Sequence, residues 1–480
     1  MLFLTKALLQ QRYAVRLYPH HRNLSSRTKN RRWQKSIRSS CNNGLLKATS
    51  MKNLTDTDGL DQIRRDMEHF CHAIGNRRPG TKEEEQAADY TASRFQELGM
   101  ENVETLPFAC KQWVPGNGSL EVLLPSQDEV ACYPVANSPA TPEEGIEGEL
   151  VSFEPVDWVD GLRHSELAGK IGLFHGGYGE SADAFRELHE SPLAALVFVD
   201  NRTNTDWLMA NGMGEKFQKI CQKPMAYMSL MDAWALAKDG AKRVRLTCSG
   251  KSVDSESHNV VGELPGSDPD GKVVVVCGHL DSVALGCGAD DDASGMAAIF
   301  ETARRLKNSP RKSTLRFIGF GAEEQLSIGS VRYVNEQVDD PDRIYFVCNY
   351  DSIGAVAGSS QASTTGTTQL DDYAREIIEK NLCFGLVKPD VSPYQDGYPF
   401  AAQGIPGIWF TRYTHAGGYW YLHSEHDLLE NCSIDQIAWT AEAGCEVLGK
   451  LLNSNSWPFP REISPTMQEK IDKYQRELFC

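Results

Sequence analysis

Apolar runs of strand length alternate with amphipathic segments of helix length over residues 251–453. The clearest run is KVVVVC, in which Val273–Cys277 are apolar without alternation, as in a strand buried on both faces. Apolar residues with helical spacing follow at Ser294–Lys307 and later at Ile434–Leu452. Further strands are predicted at Thr314–Gly319, at Tyr345–Tyr350 and in GIPGIWFT, and further helices at Ile328–Gln337 and Leu370–Lys380. This alternation predicts an α/β fold with a mixed, mostly parallel sheet and helices on both faces.

Two helices are predicted near the start of this pattern, at residues 61–74 and within RRPGTKEEEQAADYTASRFQELGM. In the second segment Thr81 and Glu84 stand at capping-box spacing, which marks Thr81 as the residue before the first helical turn. The apolar face of that helix suits packing on a sheet.

A region with a different pattern lies between the second predicted helix and the alternating strands and helices. Short β runs, namely GELVSF, GKIGLF, LAALVFVD and RVRLTC, are separated there by Gly, Pro and Asp, with one predicted helix at MDAWALAKDGA. We therefore expect one α/β domain that is interrupted by a β-rich insertion. The predicted limits are residues 1–55 for a basic leader, 56–112 and 251–453 for the α/β domain, 113–250 for the insertion, and 454–480 for a C-terminal extension that forms an added surface helix.

Charge is distributed unevenly along the chain. The formal net charge is −16, yet the leader contains twelve Lys or Arg and no acidic residue, so the remainder is more acidic still. A chain with this acidic body is expected to bind neither nucleic acid nor anionic membrane. The Arg- and Ser-rich leader resembles a mitochondrial presequence, or else Met51 is the true start and the leader is a disordered extension.

Cysteine usage bears on the compartment. There are 13 cysteines, an odd number, without CxxC pairs, and Cys277 and Cys348 lie inside apolar strands. This predicts free buried thiols in a reducing compartment, hence a cytoplasmic protein, or a mitochondrial one if the leader is a presequence. The sequence does not indicate an oligomeric state.

Metal-ligand residue types follow the predicted strands. Singly, each has an ordinary role as a loop residue, a solvated helix face or a helix cap. In open parallel sheets, however, the carboxyl ends of strands converge, and carboxylates with imidazoles suit a divalent metal. The candidates are His279, Asp281 and the aspartates of GADDDASG, then Glu323 and Glu324 in FIGFGAEEQ, Asp351 in FVCNYDSIG, and His423 in YLHSEHD.

The motifs GHLDS…GADDDASG, AEE, YDSIG and HSEHD, in this order, resemble the co-catalytic di-zinc aminopeptidases, the family of bacterial leucyl aminopeptidases with glutamate carboxypeptidase relatives. The resemblance implies the zinc-exopeptidase, phosphorylase/hydrolase-like fold and two Zn²⁺ per chain. By similarity, His279 and Asp351 hold one zinc, Glu324 and His423 hold the other, and Asp291 bridges them.

The resemblance also implies roles around the metals. Asp281 matches the aspartate that orients the histidine, Glu323 matches the general base, and the bond Asp291–Asp292 is expected to be a non-proline cis peptide. The implied activity is removal of N-terminal residues from peptides, with a hydroxide between the metals as nucleophile. A base next to a ligand, yet not itself a ligand, suits proton transfer from the attacking water to the leaving amine. Asp427 is interpreted as a helix N-cap in preference to a support for the metal site.

The insertion resembles a protease-associated (PA) domain, which would lie over the mouth of the site and restrict substrate size; alternatively it has no contact with substrate. Two other functions remain open on the same scaffold. A carboxypeptidase or aminoacylase-type amidohydrolase needs a cation for the substrate carboxylate, and Arg412 in FTRYT is the candidate. A non-catalytic, receptor-like binding protein has no need of Glu323.

Overall fold

The strands of the chain join into one extended sheet in its computed structural model, which describes residues 56–154, 162–176, 181–200, 206–268, 271–378, 384–413 and 421–479. The predicted leader lies outside the described residues. In chain order the strands are β1 (Glu101–Leu124), β2 (Glu129–Ala131), β3 (Tyr133–Pro134), β4 (Ile146–Phe153), β5 (Ile171–His175), β6 (Ala195–Asp200), β7 (Met225–Ser229), β8 (Arg243–Leu264), β9 (Val273–His279), β10 (Thr314–Phe320), β11 (Ile344–Tyr350), β12 (Ser359–Thr365), β13 (Phe384–Pro389) and β14 (Gly407–Tyr413).

The α-helices of the described residues are α1 (Thr57–Glu68), α2 (Lys82–Glu97), α3 (Ala182–Glu190), α4 (Glu215–Ile220), α5 (Leu230–Asp239), α6 (Ser294–Leu306), α7 (Ile328–Arg332), α8 (Thr368–Ile378), α9 (Tyr398–Ala402), α10 (Ile434–Leu452) and α11 (Pro465–Tyr474). The helix α1 continues as π-helical turns over His69–Ile74, and α7 continues in the same way over Tyr333–Gln337. None of the described helices combines the length and apolar character that crossing a membrane requires.

The strand β9 lies at the centre of the part of the sheet that positions the site. Both of its neighbours, β10 and β11, run parallel to it, and β14 runs parallel to β11. Antiparallel pairing enters through β8 beside β10 and through β12 beside β14. The predicted mixed, mostly parallel sheet is therefore confirmed.

The valine run of β9 packs on both faces of the sheet. Val274 and Val276 belong to a core with residues of α1, α6 and α10, whereas Val273 and Val275 contact the opposite core around Phe400. Successive side chains of a strand point to opposite faces, so an unbroken apolar run requires cover on both sides. The run of consecutive apolar residues in β9 is thus explained by the helices that cover both faces of the sheet.

The predicted insertion is connected to the α/β domain by two long paired strands. β1 and β8 are antiparallel from Glu101 opposite Glu263 to Leu124 opposite Arg243, and the predicted boundaries lie inside both strands. Beyond them, β4, β5, β6 and β7 form parallel pairs with α3, α4 and α5 between or beside them. The segment therefore contains several helices besides its strands; its division into a separate PA-like domain stays a prediction.

The C-terminal extension is helical, as predicted, but one side of it is buried. Met467, Ile471 and Leu478 are 8%, 1% and 2% exposed. Leu478 packs in the core of the insertion segment, and the hydroxyl of Tyr398 donates to the carbonyl oxygen of Ile471 at 3.2 Å. The extension is therefore more than a surface helix, because it contacts both the α/β sheet region and the insertion segment.

Candidate metal centre

The ends of three neighbouring strands bring the candidate residues together. β9 ends at His279, β10 is followed by a tight turn that begins at Glu323 and Glu324, and Asp351 comes directly after β11. Asp291 lies in the segment Ala289–Ala293 that precedes α6, where the backbone of Asp291 and Asp292 departs from helical geometry. Because these strands are parallel, their carboxyl ends share one edge, as the sequence predicts.

Two groups of potential ligands share one residue. The ligand atoms of His279, Asp291 and Asp351 lie within 4.8 Å of one another, and so do those of Asp291, Glu324 and His423. These are the five residues that the resemblance assigns to the metals, in the same division.

The two oxygens of Asp291 face different histidines. Its Oδ1 lies 2.9 Å from Nε2 of His279, and its Oδ2 lies 3.1 Å from Nε2 of His423. The same Nε2 of His423 lies 3.0 Å from Oε2 of Glu324. A carboxylate that points one oxygen into each group is the arrangement that a pair of neighbouring metal ions shares.

The charges of this cluster are unfavourable without a cation. Burial raises the pKa of Asp351 well above its ordinary value, and the charge of Asp291 raises it further. Burial disfavours the charged form of His423, yet Glu324 and Asp291 raise its pKa to about 10. The carboxylates therefore attract positive charge, which bound divalent ions supply in such sites.

The donor set fits zinc. It combines imidazole nitrogens with carboxylate oxygens, the ligand types that Zn²⁺ takes beside cysteine. Oε1 of Glu324 is buried and has no hydrogen-bond partner among the described residues, although a buried carboxylate oxygen normally has one. A metal ligand role accounts for this atom.

Asp281 lies behind the cluster and contacts two of its parts. Its Oδ1 is 3.5 Å from Nδ1 of His279, and its two oxygens accept the backbone N–H groups of Glu323 and Glu324 at 2.9 and 3.1 Å. Asp281 thus connects the histidine at the end of β9 to the turn after β10. Only the contact between Asp281 and His279 is predicted from the sequence.

The turn that carries Asp291 is held from outside by Asp427. The carboxylate of Asp427 accepts the backbone N–H of Asp290 at 2.6 Å and that of Asp291 at 3.2 Å. It caps no helix after it, since the next helical turn starts at Leu429 without a side-chain cap. The interpretation of Asp427 as an N-cap of its own helix was therefore wrong; its carboxylate holds the turn that carries the candidate ligand Asp291. The bond Asp291–Asp292 is cis, as the resemblance implies.

Arg412, the candidate cation for a substrate carboxylate, is bound within the sheet. Its Nε donates to the carbonyl oxygen of Ala355 at 2.6 Å, and its Nη1 donates to Oγ of Ser360 at 2.9 Å. Both contacts connect β14 to neighbouring segments. The guanidinium therefore has a structural role that the sequence did not indicate.

Two residues at the site were missed. Nδ1 of His423 donates to Oδ1 of Asn211, which belongs to the insertion segment. The sequence predicts for Glu84 only a place in a capping box. In the structure Glu84 also accepts the backbone N–H of Ala322 at 3.0 Å and the hydroxyl of Ser257 at 2.6 Å. Glu84 thereby fixes the residue that precedes Glu323. Neither contact has a local signal, because each joins segments that are far apart in the chain.

Comparisons with known proteins identify a family and relatives that this chain resembles. A sequence model of peptidase family M28 matches residues 259–448, which include all five candidate ligands. Carboxypeptidase Q of Bos taurus is 29% identical over 274 residues, which are 54% of this chain and 58% of that protein. Aminopeptidase YwaD of Bacillus subtilis is 25% identical over 384 residues, 77% of this chain and 79% of that one.

A solved structure has the same fold. The structure of a zinc aminopeptidase from Bacillus subtilis matches with a TM-score of 0.66 at 21% identity, over 85% of this chain and 98% of that chain. The match to carboxypeptidase Q spans little more than half of that relative's length. Residues 259–448, which carry the strand-end candidate ligands, are thus similar to peptidase family M28.

Proposed function

We propose that this protein is a zinc-dependent exopeptidase, an aminopeptidase that holds two Zn²⁺ ions and removes N-terminal residues from peptides. The observation that carries the proposal is Asp291, whose two oxygens face the histidines of two separate ligand groups. In this assignment His279 and Asp351 hold one ion, Glu324 and His423 hold the other, and Asp291 is shared.

Zinc in such a site polarises the scissile carbonyl and lowers the pKa of a bound water. Glu323 is the residue of this chain that we assign to proton transfer. It belongs to neither ligand group, and its Oε1 accepts the hydroxyl of Ser327 at 2.9 Å, which fixes the carboxylate beside the cluster. From there it would accept a proton from the attacking water and deliver it to the leaving nitrogen.

The alternatives are less well supported. A carboxypeptidase that used Arg412 would have to release its contacts to Ala355 and Ser360. A non-catalytic binding protein would have no use for the half-buried carboxylate of Glu323, which lies beside the candidate ligands and belongs to neither group. Among the similar proteins, YwaD and the zinc aminopeptidase of Bacillus subtilis are named as aminopeptidases, and carboxypeptidase Q is named as a carboxypeptidase.

The test uses the purified full chain. Metal content is measured by mass spectrometry, and hydrolysis of a panel of aminoacyl p-nitroanilides is followed with and without 1,10-phenanthroline. We expect two zinc ions per chain, hydrolysis of at least one anilide, loss of that activity in chelator and recovery on adding Zn²⁺. Unchanged hydrolysis by metal-free protein would exclude a metallopeptidase, and a zinc-loaded chain that cleaves no N-terminal residue would exclude an aminopeptidase.

A further inference from the structure

A pocket opens beside Glu324 between the metal centre and the insertion segment. It encloses about 430 Å³, including the part open to solvent. Its wall combines the segment between α1 and α2 with the insertion segment and the turns after β9 and β10. Among its lining residues are Arg78, Trp113, Tyr133, Asn211, Ser282 and Glu324. The pocket is thus adjacent to the atoms that we assign to catalysis.

Three donors in this wall have no partner. Nε of Arg78, Nε1 of Trp113 and the hydroxyl of Tyr133 are buried, and none of them has a hydrogen-bond partner among the described residues. Trp113 is only 5% exposed. Leaving a buried donor unpaired costs about 1–3 kcal/mol, so three such groups in one pocket point to a ligand that accepts hydrogen bonds.

Arg78 differs in this respect from its neighbour Arg77. The guanidinium of Arg77 is fully buried and donates to the backbone oxygens of Leu280, Cys287 and Gly288, which fixes the turn before α6. The side chain of Arg78 forms no ion pair or hydrogen bond with any described residue. One arginine therefore serves the fold, while the other places an uncompensated positive charge at the pocket.

The chemistry of the wall selects the ligand. A guanidinium pairs best with a carboxylate or phosphate, and a tryptophan N–H can only donate. Burial raises the pKa of Tyr133 to about 12, so its hydroxyl is protonated and available to donate at neutral pH. A carboxylate can accept a hydrogen bond from each of these groups, whereas an ammonium or an apolar side chain leaves them unpaired.

We infer that this pocket binds a carboxylate of the substrate, so that Arg78, Trp113 and Tyr133 make the protein selective for short acidic or C-terminally free peptides. The inference rests on the proposed function, since it names the substrate class of the same site. The carboxylate has two possible sources: the free C-terminus of a dipeptide, or the side chain of an N-terminal Glu or Asp.

The experiment compares pairs of substrates that differ only in the carboxylate. Ala-Ala against Ala-Ala-amide tests the C-terminal source, and Glu-p-nitroanilide against Gln-p-nitroanilide tests the side-chain source. We expect kcat/KM of the wild-type protein to favour the carboxylate in one pair by roughly tenfold to a hundredfold, as for a charged hydrogen bond. The pair that shows the preference identifies the source.

Arg78→Gln should abolish this preference and Arg78→Lys should retain part of it. The control is Arg332→Gln, because the side chain of Arg332 is 43% exposed and forms an ion pair with Glu336 on the same helical segment. Equal kcat/KM within both pairs for wild type, or a preference that survives Arg78→Gln, would overturn the inference.

Binding separates this inference from the proposed function. Calorimetry with zinc-loaded Glu323→Gln protein measures the affinity for Ala-Ala and for Ala-Ala-amide, and for free Glu and Gln, without turnover. Tighter binding of one carboxylate ligand, lost in Glu323→Gln/Arg78→Gln, supports the pocket even if the wild-type chain hydrolyses none of the substrates. Equal affinities within both pairs contradict it, whatever the chain hydrolyses.

Discussion

Asn211 and His423 are joined by a hydrogen bond from Nδ1 of the imidazole to the side-chain oxygen of the amide. Because Nδ1 donates, the lone pair of the ring lies on Nε2, the atom that faces Asp291 and Glu324. A backbone bond from the N–H of Ala210 to the carbonyl oxygen of His423, at 2.8 Å, holds the same two segments together. The insertion segment thus determines which nitrogen of a candidate ligand is available to a metal.

Replacing Asn211 with Ala is expected to weaken zinc binding. Loss of the acceptor frees the ring of His423 to rotate and to change tautomer, and partners of this kind contribute roughly tenfold to a hundredfold in metal affinity or activity. Competition with a fluorescent zinc chelator measures the affinity. The control is Asn117→Ala, since Asn117 is exposed and engages Ser249 through its backbone. Equal zinc affinity in the two variants would contradict the role of Asn211.

The neighbours Glu323 and Glu324 are expected to fail in different ways when each is changed to Gln. Glu323→Gln should retain zinc and lose roughly a hundredfold to ten-thousandfold in kcat, because a general base is removed. Glu324→Gln should lose bound zinc, because a ligand is weakened. Metal content and kcat, measured on the same preparations, distinguish the two. Zinc loss in Glu323→Gln with full retention in Glu324→Gln would reverse our assignment.

Two glycines of α10 are expected to respond oppositely to Ala. A Cβ at Gly444 would clash with the hydroxyl oxygen of Tyr350, the last residue of β11, whereas a Cβ at Gly449 meets no atom of the described residues within 4 Å. Gly444→Ala should therefore lower the free energy of unfolding by about 1–3 kcal/mol through overpacking. Gly449→Ala should raise it by about 0.5–1 kcal/mol, since Ala restricts the unfolded chain more than Gly.

Urea unfolding of both variants measures these changes. Because Tyr350 precedes Asp351, we also expect Gly444→Ala to reduce zinc affinity, while Gly449→Ala leaves it unchanged. A stable Gly444→Ala protein with normal zinc binding would show that the contact between α10 and β11 is not tight.

The C-terminal extension is expected to loosen in acid through Asp390. Its carboxylate lies 2.7 Å from Nζ of Lys388 on β13 and 3.1 Å from Nζ of Lys470 on α11. Burial opposes ionisation, but these two lysines hold the pKa of Asp390 below its ordinary value. A lowered carboxyl pKa stabilises the fold above the unfolded value of about 3.9, and this contribution is lost as the pH falls through the folded value.

The difference in unfolding free energy between wild type and Asp390→Asn should therefore be constant above about pH 5 and decline below about pH 4, as the pH falls through the lowered pKa of Asp390. Added salt should reduce it, because the pairs are partly exposed. The exposed Asp239, changed to Asn, is the control. A difference that grows in acid would mean that Asp390 is not stabilised by its lysines in the folded state.

The clustering of three candidate ligands could be predicted from the sequence because each lies at the end of a strand or within a few residues of it. The ends of β9, β10 and β11 set the positions of His279, Glu324 and Asp351. Parallel pairing of these strands brings the three residues to one edge of the sheet. Asn211 and Glu84 have no such local cause. Each reaches the site through a contact between segments more than 200 residues apart, and amide or carboxyl side chains of these types occur throughout the chain.

The limits of the insertion were hard to predict for a different reason. Pro115, Gly116 and Gly118 break the pattern of β1 near the predicted boundary at residue 113, as if a strand ended there. The structure keeps the strand continuous and accommodates the interruption as an irregularity in register opposite Gly250 and Cys248. Pairing with β8 keeps β1 continuous through these local breaks. Because β8 lies more than a hundred residues away in the chain, the local sequence around residue 113 does not indicate this pairing.

The long pairing of β1 with β8 has a consequence for how the chain can vary. Trp113 and Tyr133 reach the pocket from a segment whose strands β1 and β8 are hydrogen-bonded into the same sheet as the candidate ligands. Replacing residues 113–250 with another insertion would interrupt β1 and β8 in the middle of their hydrogen-bonded pairing. Changes of specificity are thus easier to reach by point substitution in the pocket wall than by exchange of the whole module.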